Sequence, residues 1–135
     1  MASGNVPYVL TYSSCAVRVC ETALDHGINL RGARFTMDGE KITAPRTAAI
    51  EHVGARATCL YAATESGGLT MGCMAPEAPD DVHLMHDRCA IIQSGDKHET
   101  RFPADALPFT TVLPDARILL LNVSLGDSPT VHKKR

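Results

Sequence analysis

The sequence has no excess of charge of either sign. Its 135 residues contain 13 Lys and Arg against 15 Asp and Glu, which gives a formal net charge of −2. The basic residues are scattered, apart from a cluster from His132 to Arg135. Nucleic-acid-binding domains are typically basic, with Lys and Arg gathered on one face. We therefore expect no nucleic acid among the partners of this protein.

A long apolar run is also missing. No segment approaches the roughly 18 apolar residues that a membrane-spanning helix requires. No Lys or Arg precedes Arg18, so the sequence lacks the basic start of a secretory signal peptide. With 44% hydrophobic and 21% charged residues, the composition is typical of a single folded domain with its own core. We expect a cytoplasmic protein that does not bind membranes.

The cysteines do not form the pattern of a disulfide-linked protein. They are odd in number and irregularly spaced, at Cys15, Cys20, Cys59, Cys73 and Cys89. Without a secretion signal, such a set predicts no disulfide framework. The first three have apolar neighbours and are expected in the core, whereas Cys73 borders a proline-containing loop.

The first half of the sequence alternates between strand and helix patterns. Strands are predicted at residues 8–10, 34–37 and 56–60. Ser13 or Ser14 is the expected N-cap of a helix that reaches about His26. Its apolar positions recur every three or four residues, at Ala16, Val17, Cys20, Ala23 and Leu24. The glycine after this helix, Gly27, is expected to end it in the left-handed conformation.

The second predicted helix completes a βαβαβ order. Thr43 is its expected cap, Pro45 lies in its first turn, and Gly54 ends it. Ala49, Ile50 and Val53 form its apolar face. This order predicts parallel strands joined by right-handed crossovers, and hence an α/β fold over residues 1–72.

Residues 73–135 are predicted to form a β-rich subdomain of the same domain. Prolines become frequent, and the apolar runs shorten to residues 82–85, 89–93, 109–113 and 118–123. These short runs predict antiparallel strands. A tight turn at residues 113–116 predicts that the last two strands form a hairpin, and a connection at residues 94–98 is expected to join other strands.

Two polar, glycine-containing loops follow the second and third predicted strands, at residues 38–40 and 61–68. Ligands of open parallel sheets bind outside the carboxyl ends of the strands. In the second loop, Thr64 can donate a hydrogen bond to a phosphate, Glu65 can hold Mg²⁺, and Tyr61 can cover a flat ring. The alternative is a polar turn that only leaves a buried strand.

The segment from Tyr61 to Gly68, which contains Thr64-Glu65, resembles the Tyr-Gly-x-Thr-Glu motif of the adenylate-forming superfamily, although Ala62 replaces the usual glycine. Residues 35–40 resemble the Gly-Glu strand end that precedes this motif, and residues 123–127 resemble the Tyr-x-Thr-Gly-Asp motif that follows it. The Gly39-Glu40 pair and residues 77–84 are most similar to the phenylacetate-CoA ligase-like branch.

This resemblance implies an AMP-forming ligase or adenylation domain that activates an aryl or acyl carboxylate with ATP and Mg²⁺. The thiol acceptor would be CoA or a carrier protein. The implied nucleotide contacts are Gly39, Glu40 and Tyr61 at the base, and Asp127 at the ribose hydroxyls. The implied catalytic residues are Thr64 at the α-phosphate and Glu65 at Mg²⁺.

The resembled enzymes are several times longer. They have a phosphate-binding loop before the matched region, and a C-terminal domain whose lysine contacts the reacting groups. We therefore expect this chain to correspond to the later part of their N-terminal domain, and to form no acyl-adenylate alone. A binding or interaction module that retains the fold without the reaction is the alternative.

Two further hypotheses concern the region around residues 73–87. Cys73 and His83 carry preferred zinc ligands and could supply half of a four-ligand site. His83, His86 and Asp87 could serve a hydrolase, but no nucleophile motif lies beside them, and solvated loop residues are the simpler interpretation.

Overall fold

The computed structural model describes residues 6–91 and 106–132. The described residues form two compact units that divide between Leu84 and Met85. The first unit has a three-stranded parallel sheet and two small antiparallel pairs, and the second unit has one antiparallel pair. This mixed arrangement is an α/β fold, as predicted. The boundary predicted between residues 72 and 73, where the β-rich subdomain was expected to begin, lies within an antiparallel hairpin of the first unit.

The parallel sheet has the order β1 (Tyr8–Thr11), β2 (Arg34–Met37) and β3 (Arg56–Cys59). Both neighbouring pairs are parallel and in simple register, so that Thr11, Met37 and Cys59 form one row across the carboxyl ends of the strands. All three strands were predicted, with bounds that agree to within a residue. The parallel βαβαβ order is confirmed.

Helix α1 (Ser13–Asp25) ends as predicted but begins differently. The Ile28 N–H donates to Ala23 O and the Gly27 N–H to Leu24 O, with Gly27 at a φ of +64°. This pair of bonds is the Schellman motif that a left-handed glycine permits. The predicted serine N-cap is wrong, because Tyr12 holds the N-cap position and makes no side-chain cap bond.

Helix α2 (Ala44–His52) follows Thr43, the predicted N-cap residue, with Pro45 in its first turn. The Thr43 side chain makes no cap bond. Gly54, at a φ of +75°, follows the helix as expected. Only Ile50 of this helix is fully buried, so the apolar face is narrower than the sequence indicated.

The core of the first unit lies between one face of the sheet and the two helices. Phe35 and Met37 of β2 are buried there together with Ile50 of α2 and Cys20 of α1. The helix α1 contributes small side chains, which allow it to approach the sheet closely, whereas Leu24 is 54% exposed. The predicted apolar face of α1 is therefore correct except at this leucine.

Two antiparallel hairpins follow β3. The first pairs β4 (Ala62–Ala63) with β5 (Gly67–Gly68), and the second pairs β6 (Thr70–Gly72) with β7 (Val82–Leu84). β6 was not predicted, since its three residues contain a single large apolar side chain and no strand-length alternation. The hairpin approaches β3 so closely that a Cβ on Gly72 would lie 2.7 Å from Cys59 O.

The second unit pairs β8 (Cys89–Ile91) with β9 (Phe109–Thr111). The turn at residues 113–116 is present, since the Ala116 N–H donates to Leu113 O. Residues 118–123 form no regular strand in the described chain, but they lie beside β9 as the hairpin prediction expected: Val123 and Phe109 exchange two backbone bonds, and the Thr111 N–H donates to Leu120 O. The strand predicted at residues 89–93 extends past the described residues at positions 92 and 93, and the connection predicted at residues 94–98 lies outside them.

Helices that could cross a membrane are absent from residues 6–91 and 106–132, where both helices are too short and too polar.

Candidate functional site

The carboxyl ends of the parallel strands bring the two predicted ligand loops to one edge of the sheet. The Asp38 N–H donates to Thr11 O, and the Leu60 N–H donates to Met37 O. These bonds continue the parallel pairing one residue beyond the strands. The loop of residues 38–40 and the segment that starts at Leu60 therefore leave the sheet side by side, at the position where such sheets bind ligands.

Glu40 closes the first loop by binding the start of α1. Its carboxylate accepts bonds from the Ser14 hydroxyl (2.7 Å), the Ser14 amide (3.0 Å) and the Ser13 hydroxyl (3.0 Å). It thus does the work of the missing N-cap, because a carboxylate satisfies free helix amides and the positive end of the helix dipole. The hydrogen bonds from Ser14, followed by those from Ser13 and the charge of Arg46, hold the pKa of Glu40 below its ordinary value.

Arg46 of α2 completes this network. Its Nη1 donates to Ser13 Oγ at 2.6 Å, to Lys41 O at 2.9 Å and to Glu40 Oε2 at 3.2 Å. Ser13 is fully buried beneath these groups. The network ties both helices to the 38–40 loop and engages both oxygens of Glu40. The base contact that the resemblance implies for Glu40 stays a prediction.

Gly39 lies between Asp38 and Glu40 at a φ of +71°, which glycine adopts without strain. It also packs against an aromatic ring, since a Cβ at this position would lie 2.5 Å from Cε1 of Tyr12. The ring of Tyr12 thus covers the backbone of the predicted base-binding loop. Tyr12 was not among the residues selected from the sequence.

The second loop is a short hairpin with Thr64 and Glu65 at its tip, where both are exposed. The Ser66 N–H donates to Ala63 O, and Gly67 follows at a φ of +71°. A turn followed by a left-handed glycine is a common way to build such a loop. Thr64 and Glu65 thus lie in an exposed turn that follows β3.

Tyr61 anchors the base of this hairpin. Its N–H donates to the Thr70 hydroxyl at 2.8 Å, and its carbonyl accepts from the amides of Leu69 and Thr70. Thr70 is buried and so can hold the hairpin at a fixed position. Tyr61 is half-buried, and its predicted contact with a base stays a prediction.

Asp127 lies in the second unit, in an exposed segment without regular secondary structure. The preceding Gly126 has a φ of +89° and donates its N–H to Ser124 Oγ at 3.3 Å. This local turn accounts for the glycine next to Asp127. The ribose contact implied for Asp127 stays a prediction.

Cys73 directly follows β6, where its N–H donates to Asp81 O, and His83 lies within β7 opposite Met71. The strand register places them diagonally on the same face of the hairpin. In the described part of the chain, no group of three or more metal-binding side chains is present. The half zinc site proposed for this pair stays a prediction.

The burial of the cysteines agrees in part with the sequence analysis. All five are free, as expected. Cys20 and Cys59 are buried in the core, whereas Cys15 is only half-buried. Burial and the nearby Asp80 raise the pKa of Cys59 to about 11. His83, His86 and Asp87 are all exposed; His86 and Asp87 lie in the turn after β7, in agreement with solvated loop residues, whereas His83 lies within β7.

The sequence analysis missed the network of Ser13, Ser14, Glu40 and Arg46, and it missed Tyr12. A signal was present: two serines open a helix that has no acidic residue in its first turn, and a glutamate follows the next strand. Only the strand register, however, shows that this glutamate reaches the helix start.

No family model matches this sequence, and no curated protein matches it.

Proposed function

We propose that the carboxyl edge of the parallel sheet binds an adenine nucleotide with Mg²⁺, as part of an AMP-forming carboxylic acid–CoA ligase or adenylation domain. One observation carries this proposal: the two predicted loops follow the ends of two neighbouring parallel strands, β2 and β3. The loop after β3 presents Thr64 and Glu65 to solvent. Edges of this kind are the usual ligand sites of open parallel sheets.

Glu65 is suited to hold Mg²⁺ together with a nucleotide. Mg²⁺ commonly takes only one or two protein carboxylates, and completes its shell with water and substrate phosphates. A single exposed carboxylate therefore fits this ion. The bound ion would offset the negative charge of the phosphates.

Thr64, next to Glu65 on the hairpin tip, would donate its hydroxyl hydrogen to an oxygen of the α-phosphate. In the reaction that the resemblance implies, a carboxylate oxygen of the acid bonds to the α-phosphorus of ATP and pyrophosphate leaves. The thiol of CoA or of a carrier protein then displaces AMP. Thr64 would act by orienting the phosphate, since such transfers depend chiefly on positioning and charge stabilisation.

A binding module without the reaction is the second candidate, and the state of Arg46 favours it. This cation lies at the same edge, but it donates to Ser13, Glu40 and Lys41 within the fold. The Nη1 group of Arg46 is engaged within the fold in this way, so this group is not available to stabilise charge on a phosphate. The module would bind a nucleotide through the two loops and release it unchanged.

A pyrophosphate-release assay with ATP, Mg²⁺ and a panel of aryl and acyl carboxylates separates the two candidates. Release that depends on the acid, and that falls when Glu65 is replaced by Gln, supports the ligase. Saturable AMP binding without release, which is the result expected of this chain alone, supports the nucleotide site and favours the binding module as the activity of this chain. Neither binding nor release, in a protein that melts cooperatively, would overturn both.

A further inference from the structure

An open pocket of about 310 Å³ lies at the carboxyl ends of β1 and β2, beside the 38–40 loop. It is lined by Leu10, Thr11, Tyr12 and Asp38. The bond from the Asp38 N–H to Thr11 O, 3.2 Å long, holds the two strand ends together. Of these four residues only Asp38 lies in a segment that carries the resemblance to the adenylate-forming superfamily, next to the Gly39-Glu40 pair.

One wall of the pocket is apolar and includes an aromatic ring. Tyr12 is 57% exposed although its ring is held against Gly39, and the neighbouring Leu10 is 60% exposed. Because Gly39 has no side chain, the ring can approach the loop backbone closely and remains supported from that side. A supported, exposed ring beside an exposed leucine is suited to contact a planar heterocycle.

The polar group of the pocket is a carboxylate with spare hydrogen-bonding capacity. Asp38 Oδ1 accepts the Gly39 N–H at 2.6 Å, and in the described part of the chain Oδ2 has no bonding partner. A half-buried carboxylate attracts hydroxyl and amino donors and repels phosphate. The pocket is therefore suited to the nucleoside end of a nucleotide and not to its phosphates.

We propose that this pocket holds the nucleoside, with the base against Tyr12 and a donor group of the nucleoside bonded to Asp38. The inference rests on the proposed nucleotide function and adds two specificity-determining residues to it. It leaves the phosphates to Thr64 and Glu65, on the loop of the neighbouring strand. Gly39 acts in the same site as the support of the Tyr12 ring.

Titration calorimetry with two ligands tests the inference separately from the proposed function. Adenosine probes the nucleoside pocket alone, and AMP with Mg²⁺ probes the whole site. Tyr12→Leu removes the ring, while Asp38→Asn removes the charge and keeps an oxygen for the Gly39 N–H. Each variant is expected to weaken the binding of both ligands by about tenfold.

Matched controls come from the same strand and the adjoining helix. Tyr8→Leu removes the exposed tyrosine at the opposite end of β1, and Asp25→Asn removes an exposed carboxylate at the far end of α1. Both controls are expected to bind as the unchanged protein does. Thermal melts of all four variants establish whether each is folded. If Tyr12→Leu does not fold, Asp38→Asn still tests the pocket.

The outcomes distinguish the two proposals. If Tyr12→Leu and Asp38→Asn bind adenosine and AMP normally while Glu65→Gln loses AMP with Mg²⁺, the nucleoside pocket is wrong and the proposed function stands. If adenosine binding depends on Tyr12 and Asp38 but Mg²⁺ and Glu65 have no effect on AMP, the pocket stands and the proposed function fails. If the unchanged protein binds neither ligand, both are overturned.

Discussion

Replacing Gly72 by alanine tests how closely the β6–β7 hairpin packs on β3. A Cβ at this position would lie 2.7 Å from Cys59 O, 3.0 Å from Thr58 Cβ and 3.2 Å from Cys59 N. All three distances are shorter than an ordinary van der Waals contact of about 3.5 Å. The three atoms cannot rotate away from the new methyl group, because they are backbone atoms and a Cβ of strand β3. The hairpin or the strand must therefore shift.

This shift is expected to lower the free energy of unfolding. Forcing an extra methyl group into a packed site typically costs about 1–3 kcal/mol. In a domain of this size each kcal/mol lowers the midpoint of thermal unfolding by about 4 °C. Gly72→Ala should therefore lower the midpoint by several degrees or more, and chemical denaturation should show the same loss of free energy of unfolding.

Two glycines of the neighbouring hairpin serve as matched controls. At Gly68 the nearest atom to a new Cβ is Leu60 Cδ1 at 3.9 Å, which is an ordinary contact, so Gly68→Ala should change the free energy of unfolding by less than about 0.5 kcal/mol. Gly67 has open space but a φ of +71°, so Gly67→Ala should cost about 1–2 kcal/mol from backbone strain alone. A Gly72→Ala protein as stable as Gly68→Ala would refute the close packing.

Two other predictions concern ionisable groups. Because the pKa of Glu40 is lowered in the folded protein, its carboxylate stabilises the fold above the ordinary value of 4.5, and that stability is lost as pH falls through the folded value. Glu40→Gln should therefore be less stable than the unchanged protein near neutral pH, and the difference, measured by urea unfolding, should shrink in acid; a constant difference would contradict the network. Cys59, whose pKa is raised from 9.0 to about 11, should react with iodoacetamide about a hundredfold more slowly than an ordinary thiol. Peptide mapping should thus find half-buried Cys15 and Cys73 modified first, and added zinc should slow Cys73 if it belongs to a zinc site; early modification of Cys59 would show that it is not buried.

The parallel half of the fold could be predicted because its signals are local and agree with one another. Residues 34–37 form a compact β-prone run between two loops, and Gly27 and Gly54 end the helices in the conformation that glycine favours. The alternation of strand and helix then leaves parallel pairing as the natural arrangement. Local pattern and tertiary packing give the same answer in this region.

The antiparallel segments were harder because their stability does not come from their own sequence. Residues 118–123 are apolar enough to predict a strand, yet within residues 106–132 their backbone bonds to β9 involve only Leu120 and Val123 and form no regular ladder. Strand β6 has only three residues and depends on contact with β7 and β3. Strand preference mostly reflects such neighbours and is weak within short segments.

The candidate site shows the same division. Thr64 and Glu65 were predicted at an exposed turn, because Gly67 and Gly68 follow them and indicate a tight loop. The link from Glu40 to Ser13 and Ser14 joins residues 26 and 27 positions apart, so no local pattern could reveal it. Tyr12 was overlooked for a related reason: its ring acquires its position from Gly39, which lies in another loop.

The most direct test of nucleotide binding at this sheet edge is a calorimetric titration of the 135-residue protein with AMP, in the presence and absence of Mg²⁺. Glu65→Gln is compared with Glu51→Gln, which removes an exposed carboxylate from α2. We expect saturable binding that Mg²⁺ strengthens, that Glu65→Gln strongly weakens and that Glu51→Gln leaves unchanged. Binding that is absent, or that is the same in both variants and indifferent to Mg²⁺, would contradict the proposed site.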